Sequence, residues 1–202
     1  MRKLAAILCL SALTTGAFAQ GLVNFINTAT TLSSATVNGV SAATSGSPGS
    51  YYYGLLIAAP GTTDLLAFRF AGLYATNLAA PGRFSGGINV TCPVWAAGVT
   101  MSYFVVMWSA SLGTDFNAQW LLTGNFPGAP WGAVFGLSTI ATGIAGGAGT
   151  PASPAYNLFG GATGISQGFG AVQVGGVPAP EPSSIALVGL GAAALLISRR
   201  RK

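Results

Sequence analysis

The sequence has 202 residues, 51% of them hydrophobic and only 5% charged, with a formal net charge of +5. That length gives room for one ordinary domain, and a charged share so far below the roughly 25% of ordinary domains leaves surface polarity to Ser, Thr, Asn, Gln and Gly. The positive charge sits at the two ends, with only Arg69, Arg83, Asp64, Asp115 and Glu181 between Lys3 and Arg199, so no basic stripe exists to neutralise phosphates and nucleic acid is excluded as a partner.

The chain opens with Met1-Arg2-Lys3, an apolar run from Leu4 to Leu13, and Ala17-Phe18-Ala19 before Gln20. A charged start, a short apolar core and small residues at Ala17 and Ala19 are what a signal peptidase reads. Residues 1–19 are therefore expected to be a signal peptide, cut between Ala19 and Gln20. The run is too short for a stable membrane span.

Residues 20–174 are expected to form the exported domain, rich in β-structure. No long 3.6-residue periodicity appears there. Short apolar runs alternate with turn residues instead. The predicted strands are Leu22–Asn27, Tyr51–Ala58, Leu65–Tyr74, Arg83–Val90, Thr100–Ser109, Gln119–Leu122, Ala133–Leu137 and Ala171–Val174. Turn signals at 45–49, Pro60-Gly61, Pro81-Gly82, Pro127-Gly128 and Gly146-Gly147 separate them. Alternation places Leu66, Phe68 and Phe70 towards a core. Thr100–Ser109 is apolar on both faces, which predicts a central strand covered on both sides. The spacing predicts an all-β fold, an antiparallel β-sandwich or jelly roll. A transmembrane β-barrel also alternates, but these strands are few and uneven. The stretch from Ala141 to Gly176 is rich in Gly, Ala, Ser and Thr, and reads as an edge, a set of tight turns or a spacer.

Residues 175–182 read as a linker that ends in Pro180-Glu181-Pro182. Residues 183–198 are an apolar stretch expected to form a single C-terminal transmembrane helix, about 24 Å long at 1.5 Å per residue. Arg199, Arg200, Arg201 and Lys202 follow as a basic tail that the positive-inside rule holds in the cytoplasm, which places the domain on the far side of the membrane.

Catalytic side chains are scarce. The chain has no histidine, which removes Ser-His-Asp and Cys-His catalysis and the commonest metal ligand. Asp64 and Asp115 each follow turn residues and read as loop positions rather than a catalytic pair. Cys9 belongs to the leader, so Cys92 is left as a small apolar core residue or, alternatively, as a thiol that pairs between chains. No cofactor or metal site is expected. Tyr51, Tyr53 and Trp95 support two readings: core packing, or an aromatic platform on which a sugar ring stacks.

The order Pro-Glu-Pro, apolar helix, Arg cluster over Val177–Lys202 resembles the PEP-CTERM sorting signal of Gram-negative bacteria. The resemblance implies processing by exosortase, a membrane cysteine protease-transpeptidase; a tail anchor that is never cut is the plain alternative. The start Gly21-Leu-Val-Asn-Phe25, the tyrosines at Tyr51 and the segment Gly82–Gly87 are similar to a broad group of exported PEP-CTERM proteins. Together these features lead to an expected surface or extracellular-matrix protein. It would be non-catalytic and associated with exopolysaccharide, with exosortase, signal peptidase and the membrane as partners. A carbohydrate-binding module using surface aromatics is the alternative, and an enzyme the least supported.

Overall fold

The structure, a computed structural model, describes residues 20–175. The predicted signal peptide with Ala17 and Ala19, the motif Pro180-Glu181-Pro182, the apolar helix and the basic tail all lie outside the described residues. Among the described residues no helix is long and apolar enough to cross a membrane.

The strands are β1 (Gln20–Ile26), β2 (Ser33–Val37), β3 (Val40–Ala43), β4 (Tyr51–Ala58), β5 (Arg69–Asn77), β6 (Phe84–Ala96), β7 (Thr100–Ser109), β8 (Val134–Leu137), β9 (Ala141–Ile144), β10 (Tyr156–Asn157) and β11 (Phe169–Gln173). They form one 11-stranded sheet in the order β10-β1-β6-β5-β4-β7-β8-β11-β2-β3, with β9 beside β8 on the same edge of β7. The all-β expectation holds. The finer expectation of two stacked antiparallel sheets differs from what is seen, because the hydrogen-bonded path is continuous and two of its pairs, β1–β10 and β2–β11, are parallel.

The sheet curls until its own faces meet, which is how a single sheet buries a core. Two seams close the curl. Leu22 and Gly146 exchange backbone hydrogen bonds of 3.0 Å each, joining β1 to the end of β9. At the other seam Ser33 N–H donates to Gly82 O (3.0 Å) and Gly82 N–H to Thr44 O (2.8 Å), stitching the β2–β3 hairpin to the β5–β6 turn. Asn27 is buried at that seam. Its Nδ2 donates to Thr31 O and Gly82 O, and its Oδ1 accepts from Phe84 N–H.

Period-two alternation then sorts side chains to the two faces. Val23 and Phe25 of β1, Tyr53, Leu55 and Ile57 of β4, and Tyr103, Val105 and Met107 of β7 point into the curl. Leu56, Phe104, Val106 and Trp108 point outward, yet they too are buried. Phe68, Trp120, Phe135 and the partly buried Phe116 and Phe126 cover them. Each such large side chain contributes on the order of 1.5–3 kcal/mol of burial. β7 is thus the covered central strand its sequence predicts, paired with β4 on one edge and with β8 and β9 on the other.

Two predicted strands are corrected. Gln119–Leu122 is helical, forming α1 (Gln119–Thr123), which ends at Gly124 with φ 58°. Its alternation is too short to distinguish strand from helix, and Asn117 Oδ1 accepts from Gln119 N–H to start the turn. Leu65–Ala67 is a 3-10 turn capped by the Asp64 side chain, so the strand begins only at Arg69 and Leu66 is 56% exposed instead of facing a core. β6 runs on past Val90 to Ala96. Pro93 is tolerated there because it lies where the β1–β6 register shifts, between Cys92 and Ala96, and no ladder N–H is needed. β2, β3, β9 and β10 were not expected as strands.

Candidate functional site

The residues proposed as a sugar platform are part of the core. Tyr53 and Trp95 are fully buried. Tyr53 stacks on Phe84 at 3.9 Å between ring centroids, and its hydroxyl meets Ser33 Oγ (2.8 Å) and Thr44 Oγ1 (3.2 Å). Trp95 Nε1 donates to Val99 O at 2.7 Å. Tyr51, on the same face as Tyr53, is half-buried against the same core. The face that Tyr51 and Tyr53 share by alternation is the inner one, and Tyr53 and Trp95 present no exposed ring face.

The acidic residues are placed as turn residues. Asp64 Oδ1 accepts from Leu66 N–H at 3.0 Å, and Asp115 lies exposed before Phe116. Cys92 is buried, and burial pushes its thiol up, so little thiolate forms at neutral pH. Gln20 is exposed and opens β1, so the expected signal-peptidase cut falls at the first residue of a strand.

A different cluster surrounds Tyr156, on the Gly-rich stretch taken for an edge, turns or spacer. A cleft of ≈ 400 Å³ is lined by Ser153, Tyr156, Asn157 and Thr163 together with glycines, Ile144, Pro154 and alanines. A second hollow, bordered by Thr100, Thr142 and Gly143, shares Ile144, Tyr156 and Thr163 with it. The Tyr156 hydroxyl meets Thr163 Oγ1 (3.0 Å) and donates to Thr142 O (3.3 Å). Its ring lies across Gly143, where a Cβ would run into the ring itself. Behind it the buried Tyr103 donates to Leu158 O at 2.8 Å. Burial, followed by the neighbouring Tyr156 hydroxyl, holds the Tyr103 phenol far above its ordinary value. The lining is uncharged, with a few hydroxyl and amide groups among apolar side chains, which suits neutral ligands better than ions. The one sequence signal for it was a lone tyrosine among small residues.

The last described residues are also fixed. Val174 N–H and Gly175 N–H both donate to Ala133 O, at 2.8 and 3.3 Å. The route towards the tail therefore leaves from the segment beside β8. Beyond it, the PEP-CTERM protein-sorting motif matches residues 178–202. The chain thus carries a PEP-CTERM sorting signal, which marks an exosortase-targeted surface protein, exported and held for a time by its C-terminal segment. No curated protein matches the chain, and no solved structure matches it.

Proposed function

We propose that this chain is a non-catalytic surface or extracellular-matrix protein, exported behind a signal peptide, held in the inner membrane by the helix at 183–198 and released by exosortase near Pro180-Glu181-Pro182. The observation that carries this reading is the sorting motif at residues 178–202. The placement of the few reactive side chains supports it: one aspartate caps a turn, the other stands on an exposed turn, and the thiol is buried. Deleting Ile185 to Lys202 tests the anchor. The truncated domain is expected in the soluble exported fraction, and its retention in the inner membrane would refute the assignment.

Association with exopolysaccharide is the second reading, and the uncharged cleft at Tyr156 favours it. A neutral glycan would stack on the Tyr156 ring and bond to Thr163, Asn157 and the exposed backbone. Polysaccharide pull-down with the parent and with Tyr156→Ala checks this. Equal retention of both proteins argues against the cleft.

A further inference from the structure

The end of the domain from which the tail departs carries exposed apolar side chains. Ala133 N–H donates to Pro130 O at 3.1 Å, closing a turn with Trp131 at its tip, and the Ala133 carbonyl of the same turn receives the N–H of Gly175. Trp131 is 52% exposed, while Trp95, Trp108 and Trp120 are buried. Val172, just before Gln173, is 60% exposed. Gln173 Oε1 accepts from Asn38 N–H, which brings the β2–β3 turn to the same end, and Val40 beyond that turn is 70% exposed. No charged residue occurs between Asp115 and Glu181.

From Gly175 to Ser183 even a fully extended chain spans under about 30 Å, at 3.3–3.6 Å per residue. While the apolar stretch from Ser183 lies in the bilayer, this end of the domain is therefore held near the lipid headgroups. An uncharged surface loses little on entering that zone. An indole has an apolar body and one N–H donor, the combination that favours the membrane-water interface.

We propose that the Trp131 turn is a lipid-contact site that seats the domain on the outer face of the cytoplasmic membrane before the tail is cut. It would hold the Pro-Glu-Pro segment at a fixed height for an in-membrane enzyme. The inference rests on the reading of residues 183–198 as a bilayer anchor.

The test uses the full chain in phosphatidylcholine vesicles. Subtracting the emission of Trp131→Phe from that of the parent isolates Trp131, and co-sedimentation with the vesicles reports the anchor separately. The expected result is a blue-shifted difference emission that is lost when the lipids are brominated near the headgroup end of the acyl chain and is unaffected by aqueous iodide. Vesicle-bound chain whose Trp131 is quenched by iodide and not by brominated lipid overturns the contact and leaves the anchor standing. Shielding from both quenchers assigns the surface to a second copy of the chain and also overturns it. Chain that stays in the supernatant overturns the anchor, and the contact with it.

Discussion

Asn27 and Tyr53 are both buried at the seam between the β2–β3 hairpin and the β5–β6 turn, but they differ in what each would leave behind. Asn27→Ala strands the Phe84 N–H and the Thr31 carbonyl, while the Gly82 carbonyl keeps the Ser33 N–H. The expected cost is about 3 kcal/mol, since each buried unsatisfied group costs on the order of 1–3 kcal/mol. Tyr53→Phe leaves Ser33 Oγ and Thr44 Oγ1 still bonded to each other at 2.8 Å, and should cost only about 1 kcal/mol. Urea unfolding of both variants checks the order, and equal losses would contradict this account of the seam. Tyr53 and Tyr103 also set an alkaline limit. Burial raises both phenols above the ordinary 10.0. Above that pH the unfolded chain loses these protons while the folded chain keeps them, so stability is fully present below about pH 10 and falls as pH rises beyond it. Each phenol contributes a slope of about 1.4 kcal/mol per pH unit. Tyr103→Phe should therefore be less stable at neutral pH, through loss of the bond to Leu158 O, yet show a shallower alkaline decline. An unchanged slope would exclude Tyr103 as a source of it.

At the scale of elements, two glycines with similar backbone angles separate conformation from packing. Gly39 has φ 77° with open space around it, and Gly82 has φ 72° with a Cβ site 2.9 Å from Leu32 Cβ and 3.2 Å from Ser33 O. Gly39→Ala should cost about 1–2 kcal/mol from the left-handed backbone alone. Gly82→Ala should cost clearly more, because it also presses the two sides of the seam apart. Thermal melts of the two variants decide it, and similar losses would show that the seam yields easily. Gly39 also shows how far the sequence was legible. Strands β1, β4, β7, β8 and β11 follow from apolar runs and punctuation. The β2–β3 hairpin has weak runs, and its one strong signal is the Asn38-Gly39 turn, with both φ angles positive. α1 carried helix punctuation in Asn117 and Gly124, but its apolar residues are too few to set a period. The Tyr156 cleft depends on β9 and β10, which hold their place by seams and aromatic contacts between residues far apart in the chain, and local pattern does not record these.

For the whole molecule, the curled sheet gives a nearly uncharged body whose polar surface comes from hydroxyls and amides, and the C-terminal end carries the sorting signal. The C-terminal end was the most legible part, because a sorting signal is read as a linear peptide and needs no tertiary contacts. A binding role for the domain is less legible, since Tyr53 and Trp95, which suggest a platform in sequence, lie in its core. The central claim is that Pro180-Glu181-Pro182 is a processing site rather than a stiff linker. Mass spectrometry of the C-terminus, on fractionated cells that carry exosortase, tests it most directly. The parent should be found outside the inner membrane with its C-terminus ending near the motif, whereas the variant with Pro180, Glu181 and Pro182 replaced by Ala should remain full-length in the inner membrane. An alanine variant that is cut and delivered as the parent is would contradict the claim.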